Sequence, residues 1–323
     1  MSDVRVPQTP SPSQGEGLSS LPAMSSLPLA GGGQGRGSIT AAEAWAARHG
    51  LTLPTPDAIV DVSSDGRVET DPDTRLELRE ITVSFDGLTV LDHLTLTLAR
   101  SEMRFLIGPN GAGKTTLLDV ITGKTKPRSG TVLFEGYDLA GWQEHDIAQR
   151  GIGRKFQTPT VFPSLTVRQN MEIAVGARAG FIRSMRRMPS VERDLVAETV
   201  QLIGLEARAT QRAGQLSHGE KQWLEIGMLV VQEPKLLLLD EPVAGLTRGE
   251  RDRTVALLHR MQEAHPDRTI LIVEHDMAFV RQLAKTVTVL HLGRLLSEGT
   301  MEEVQNDPRV IEVYLGHGKR KVA

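Results

Sequence analysis

Gly108 to Thr116 reads Gly-Pro-Asn-Gly-Ala-Gly-Lys-Thr-Thr, and this stretch limits the fold more than any other in the chain. It fits Gly-x-x-x-x-Gly-Lys-[Ser/Thr], the phosphate-binding loop that joins a strand to a helix. Met103-Arg104-Phe105-Leu106-Ile107 before it reads as a short buried strand, and Leu117 to Ile121 after it as the start of a helix. Gly108, Gly111 and Gly113 permit tight turns that aim backbone N–H groups at phosphate oxygens. The helix N-terminus adds a dipole that favours an anion. Lys114 brings a positive charge for the β- and γ-phosphates, and the Thr115 hydroxyl is placed to ligate Mg2+. Asn110, Ala112 and Thr116 complete the nucleotide-contacting set.

Composition narrows the class. The 323 residues suffice for one large domain or two small ones, and 39% of them are apolar. Aromatics make up 4%, so aliphatic side chains must fill the core. A net charge of −3 argues against a generally basic nucleic-acid binder. The absence of cysteine excludes disulfides, thiolate metal sites and a Cys nucleophile, and suits a reducing cytoplasm. No stretch approaches the ~18 consecutive apolar residues of a membrane span, and no basic region followed by an apolar one suggests a secretory signal. The chain is expected to be soluble by itself and to reach a membrane only through a partner.

Residues 1–73 read as an extension and linker. The first forty are rich in Ser, Pro and Gly and cannot bury enough apolar surface to offset their ordering entropy, so disorder is expected. A short Ala-rich helix is expected over 40–50. The folded domain is expected over 74–316. Leu76 and Leu78, then Ile81, Val83 and Phe85, alternate with a one-residue slip, which predicts a bulged strand. Asp86-Gly87 is a hairpin signal, and Leu94, Leu96 and Leu98 alternate on the return. Thr131 to Phe134 reads as another strand, and 136–153 as a loop with a short helix. From Thr166 to about Leu205 the pattern is helical, within a helical region of about 158–230. Arg183, Arg186, Arg187 and Arg193 read as a solvated basic face, or as a contact with lipid headgroups or an acidic partner. Leu236 to Leu239 and Thr269 to Val273 are buried strands, Arg248 to Ala264 and Met277 to Lys285 helices, and Thr286 to Glu298 a hairpin. Residues 317–323 read as a basic tail. Strands alternating with helices predict an α/β fold with a mainly parallel central sheet.

The order of the remaining motifs resembles the ATP-binding subunits of ABC transporters, over about Thr74 to Gly316. That resemblance implies an α/β P-loop NTPase core with a mainly parallel sheet, an antiparallel β subdomain and a helical signature subdomain. Leu216-Ser217-His218-Gly219-Glu220 is similar to the signature, usually Leu-Ser-Gly-Gly-Gln. Ser217 and Gly219 match it and, in the family, face the γ-phosphate of ATP bound to the opposite subunit; His218 and Glu220 depart from it. Asp240, at the end of an apolar strand, matches the Mg2+-holding carboxylate, and Glu241 the general base that polarises the attacking water. His275 matches the switch histidine that contacts the γ-phosphate. Gln157 matches the loop glutamine that reaches Mg2+ and senses the membrane subunit. Phe85 matches the aromatic that stacks on adenine, with a buried core phenylalanine as the other reading. Ala244-Gly245-Leu246-Thr247 occupies the loop that crosses the dimer interface, where Asp is common in place of Thr247.

A finer resemblance is to the urea branch of the branched-chain amino-acid importers. Lys155 to Phe162, His218 to Leu229, Pro242 to Gly245 and Asn306 to Gly316 carry it. It implies an ATP- and Mg2+-dependent ATPase on the cytoplasmic face of the inner or plasma membrane. The implied partners are two transmembrane permease subunits, a second ATP-binding subunit (identical or homologous) and a periplasmic solute-binding protein, with no nucleic acid. Urea or a short-chain amide is the expected solute. Import of a branched-chain amino acid and export of lipid are alternatives within the class. A soluble ABC-type ATPase acting on DNA or ribosomes is the alternative outside it, disfavoured by the single ATPase unit and the lack of sustained heptads between Gln157 and Ser217.

Overall fold

The computed structural model describes residues 67–155, 160–179 and 189–319, with the side chains of 177–179 and 315–319 undescribed. By its contacts the chain divides into Met1–Ile59 and Val60–Ala323, and every described residue belongs to the second unit. The readings made for the first sixty-six residues, Gln157, Arg183, Arg186, Arg187 and the last four residues lie outside the described set.

β1 (Thr74–Phe85) and β2 (Leu88–Ala99) form the expected hairpin. Leu76, Leu78, Ile81 and Val83 point into the core from β1, and Leu91, Leu94, Leu96 and Leu98 from β2. The slip is real: the register shifts between Leu78 and Ile81, where Glu80 has φ 50°, and His93 opposite has φ 48°. A bulge on each strand restores the inward face, since a one-residue offset would otherwise turn the leucines to solvent. β4 (Ser129–Phe134) and the two-residue β5 (Tyr137–Asp138) extend this antiparallel sheet, in the order β2-β1-β4-β5.

The second sheet has the order β10-β9-β3-β8-β7-β6, with β3 (Met103–Ile107), β6 (Ile152–Lys155), β7 (Leu236–Asp240), β8 (Thr269–Val273) and β9 (Thr286–His291) parallel. Only β10 (Arg294–Gly299) runs antiparallel, on β9. β7 and β8 are buried at every position, as strands covered on both faces must be. One face carries Phe105, Leu237, Leu239, Ile270 and Ile272, packed with the helical side of the protein. The other carries Leu106, Leu236, Leu238, Leu271 and Val273, packed with α1 (Lys114–Ile121) and the antiparallel sheet.

Several features depart from the sequence reading. Ile152–Lys155 is a strand rather than loop: its charged Arg154 and Lys155 hide the apolar signal, yet both are buried because acidic partners meet them. The long helical pattern is α3 (Val167–Ala179) and α4 (Ser190–Leu202), with α2 (Glu144–Arg150) before them and α5 (His218–Val230) after. α6 (Arg248–Ala264) follows β7, and α7 (Met277–Leu283) follows β8 and stops two residues short of the expected end. After the last hairpin come α8 (Met301–Asn306) and α9 (Pro308–Lys319), so helix continues past residue 316. At the other end, Arg67 already bridges to Tyr137, and Val68 N–H donates to the Gly136 carbonyl. Among the described residues no helix is long and apolar enough to cross a membrane.

Candidate functional site

Three neighbouring strands, β3, β8 and β7, deliver the expected chemistry at their carboxyl ends, where open α/β sheets bind ligands. The phosphate loop follows β3, Glu274-His275 follows β8, and Asp240-Glu241 closes β7.

The loop is shaped by what its glycines exclude. A Cβ on Gly108 would sit 2.2 Å from the Leu290 carbonyl oxygen, and one on Gly113 (φ 102°) 2.7 Å from Leu91 and 2.9 Å from the Val90 carbonyl. Neighbouring backbone therefore fixes the loop from below, while Asn110 and Gly111 lie exposed above it and Ala112 packs into the core. α1 begins at Lys114, with no side-chain cap and no acid in its first turn, so its N-terminal N–H groups stay available to an anion. Lys114 donates to the Gly108 and Pro109 carbonyls at 2.8 and 3.0 Å. Burial pushes its ammonium below the ordinary lysine range, against the opposing charges of Glu241 and Asp240. Thr115 is exposed and Thr116 half-buried on the first turn. Phe85 is 48% exposed at the hairpin tip, which removes the core reading and leaves its ring free for stacking.

Asp240 is 2% exposed. Its Oδ2 faces Arg154 at 3.5 Å, and Arg154 also pairs with Asp119 of α1. Its Oδ1 is buried without a hydrogen-bond partner. Burial raises its carboxyl above the usual range, partly offset by Arg154. An orphaned carboxylate oxygen beside a phosphate loop fits a divalent cation. Among the described residues no group of three or more His, Cys, Asp or Glu could hold a metal by itself. A single buried carboxylate oxygen of this kind suits Mg2+, which takes one or two carboxylates and draws its other ligands from phosphate and water.

Glu241 adopts φ 47° and is a quarter exposed, and its Oε1 lies 3.3 Å from Nδ1 of the exposed His275. Behind this pair is Glu274, which the sequence reading passed over. It is 1% exposed; its Oε1 accepts from Val243 N–H at 3.2 Å and its Oε2 from His275 N–H at 3.1 Å. One carboxylate thus ties the turn after Glu241 to the turn carrying His275. Burial pushes it upward, and the three N–H groups of Val243, His275 and Asp276 oppose that shift. Its place directly after the apolar run Ile270 to Val273 was the available signal.

Ser217 caps α5: Glu220 N–H donates to Ser217 Oγ at 3.2 Å, and Ser217 N–H donates to Glu220 Oε2 at 2.8 Å. Glu220, with Arg208 3.3 Å away, is engaged in this capping box. His218 Nε2 lies 3.3 Å from the Ala244 carbonyl, so the 217–219 stretch docks on the 244–247 loop of its own chain. Among the described residues no hydrogen bond joins 217–219 to 108–116. Thr247 caps α6 through a capping box with Glu250. On the flanks of the undescribed residues 156–159, Glu225 of α5 meets Lys155 Nζ at 3.6 Å and accepts from Thr160 N–H at 3.2 Å.

Comparison with known proteins agrees with this geometry. Residues 91–244 match the family described as ABC transporter, and residues 294–320 the family described as branched-chain amino acid ATP-binding cassette transporter. The high-affinity branched-chain amino acid transport ATP-binding protein LivG of Escherichia coli K12 is 36% identical over 75% of this chain and 97% of its own length. BraF of Pseudomonas aeruginosa, described in the same terms, is 32% identical over the same shares. The ADP conformation of MJ1267, an ATP-binding cassette of an ABC transporter, superposes with TM-score 0.66 at 28% identity, covering 75% of this chain and 99% of that one. The fold and loop define a P-loop ATPase cassette, and the chain belongs to the ATP-binding subunits of ABC transporters, in the branched-chain amino-acid importer family. It is the ATP-binding, ATP-hydrolysing subunit of an importer.

Proposed function

We propose that this subunit powers uptake of urea or a short-chain amide, with each ATP held between the phosphate loop of one subunit and Ser217 to Gly219 of another. The convergence of loop, Asp240-Glu241 and His275 on three adjacent strand ends carries the hydrolytic half of this reading. Phe85 stacks on adenine; the loop N–H groups and Lys114 hold the phosphates. Thr115, Asp240 and Gln157 would hold Mg2+, which supplies charge neutralisation for the phosphates when bound. Glu241 receives the proton of the attacking water, and His275 orients Glu241 and the terminal phosphate. Closure of two subunits assembles the site, and hydrolysis releases it.

The solute half rests on the four urea-type stretches, and on His218 and Thr247, whose departures from the common ABC pattern resemble that branch. Import of a branched-chain amino acid is the second reading, favoured by LivG and BraF. Two permeases, a second ATP-binding subunit and a periplasmic binding protein complete the assembly, with this chain on its cytoplasmic face.

Purification of the tagged chain from gently solubilised membranes should bring down two permease chains and a second ATPase. Uptake of labelled urea and labelled leucine, in cells with and without this chain, then decides the solute. Loss of urea uptake alone supports the first reading, and loss of leucine uptake alone replaces it with the second. Recovery of ribosomes or DNA in place of permeases would sink the assembly proposed here.

A further inference from the structure

Glu250 sits where an anion belongs. It is the third residue of α6 and faces two loops at once. Its Oε2 accepts from Thr247 N–H at 3.0 Å and from the Thr247 hydroxyl at 2.8 Å. Its Oε1 points the other way, to α5, where the Ser217 hydroxyl donates from 3.4 Å. A Cβ on Gly219 would lie 2.5 Å from that same Oε1, so only glycine at 219 lets the carboxylate come this near. Thr247 first, then the Ser217 hydroxyl and the Gly219 N–H, hold the Glu250 carboxyl below its ordinary range. It therefore remains a full negative charge at neutral pH.

The donors it engages, the Ser217 hydroxyl and the Gly219 N–H in the first turn of a 13-residue helix, are those a phosphate would seek. A carboxylate and a phosphate cannot share them, because like charges a few ångströms apart repel. We propose that Glu250 is an internal anion latched onto the Ser217 to Gly219 donors, and that the terminal phosphate of a partner-bound ATP must displace it. Because the other carboxylate oxygen holds Thr247, displacement also frees the 244–247 loop. The arrival of nucleotide at 217–219 is thereby transmitted within one chain to the loop that borders the same interface. Glu250 is a positioning residue in this scheme; it touches neither ATP nor the attacking water. The inference rests on the proposed sandwich of ATP between two subunits.

Glutamine at 250 separates charge from architecture. The third position of a capping box accepts Gln as well as Glu, so Glu250→Gln keeps the α6 cap and removes the competing anion. The test is ATP-driven association of Glu241→Gln protein, alone and with the second ATP-binding subunit, followed by ultracentrifugation across an ATP titration. Adding Glu250→Gln should lower the ATP concentration at half-association by roughly three- to tenfold, the range of one ordinary net hydrogen bond at an exposed site. Its melting temperature should match that of the parent, whereas Glu250→Ala, which removes the cap as well, should melt lower. An unchanged or raised ATP requirement in the Gln variant overturns the latch and leaves the sandwich standing. A parent that never associates with ATP in either setting overturns both.

Discussion

His275 Nδ1 lies 3.3 Å from Glu241 Oε1, although the two residues stand on different strand ends and are held there by a third, Glu274. A base needs geometry first, and this pairing orients the Glu241 carboxylate before any substrate arrives. Glu241→Gln should cut ATP turnover by roughly a hundred- to ten-thousand-fold, or about 3–5 kcal/mol of barrier. ATP binding should survive, because the phosphate loop is untouched. Steady-state phosphate release paired with equilibrium binding of a fluorescent ATP analogue checks both halves. Wild-type turnover in the variant would remove Glu241 from the proton transfer.

Lys114 gives a pH prediction with a definite sign. Burial depresses its ammonium in the free protein, and its hydrogen-bond partners among the described residues are the two carbonyls of Gly108 and Pro109. Phosphate oxygens would stabilise the charged form and raise the value again. Binding of ATP is then linked to proton uptake at alkaline pH, so affinity should decline as pH rises through the depressed lysine range. Calorimetric titrations at alkaline pH, in buffers of different ionisation enthalpy, should reveal uptake of a fraction of a proton. Lys114→Met should abolish that uptake; its persistence would assign it to another group.

The placement of these groups was legible in the sequence because each follows an uninterrupted apolar strand. Phe105 to Ile107, Leu236 to Leu239 and Ile270 to Val273 announce themselves, and the residues after them inherit a position at the sheet's carboxyl edge. The bulge at Glu80 was legible for the same reason, as a slip in an otherwise strict alternation. What failed to show was charge buried by distant partners. Arg154 and Lys155 look like solvated residues until Asp119, Asp240 and Glu225 meet them from three other elements. Glu250 reads as one more acid in the first turn of a helix, and only the approach of Gly219 reveals its second partner. Pairings across such sequence distances leave no local pattern to read.

Two loop glycines should respond differently to the same substitution. At Gly108 an alanine methyl would collide with backbone, 2.2 Å from the Leu290 carbonyl oxygen. At Gly111 it would meet nothing within 4 Å and suffer only the strain of φ 80°. Gly111→Ala should therefore cost about 1–2 kcal/mol, the usual penalty of left-handed backbone. Gly108→Ala should cost more, since relief requires the loop to move off β9 (overpacking typically adds ~1–3 kcal/mol). Thermal melts of the two variants side by side give the order. A Gly108→Ala protein as stable as Gly111→Ala would mean the loop is not braced by β9.

The pair formed by Lys155 and Glu225 carries the last prediction. Lys155 is fully buried and the Glu225 side chain nearly so, 3.6 Å apart, with burial pushing the ammonium down and the carboxyl up. Such a pair contributes little net stability, yet breaking it strands a charge. Lys155→Met should therefore destabilise the protein by about 3–5 kcal/mol, whereas Lys155→Met with Glu225→Leu should recover most of that loss. The sign of the pH dependence follows from the carboxyl. Without Lys155 the Glu225 value rises further above its unfolded value, so stability is greatest at acidic pH and is lost as pH rises through the raised value. Denaturant unfolding of Lys155→Met near pH 5 and pH 8 should show the larger deficit at pH 8, and the double variant should show almost no such difference. An equal deficit at both pH values would mean that Glu225 finds another partner once Lys155 is gone.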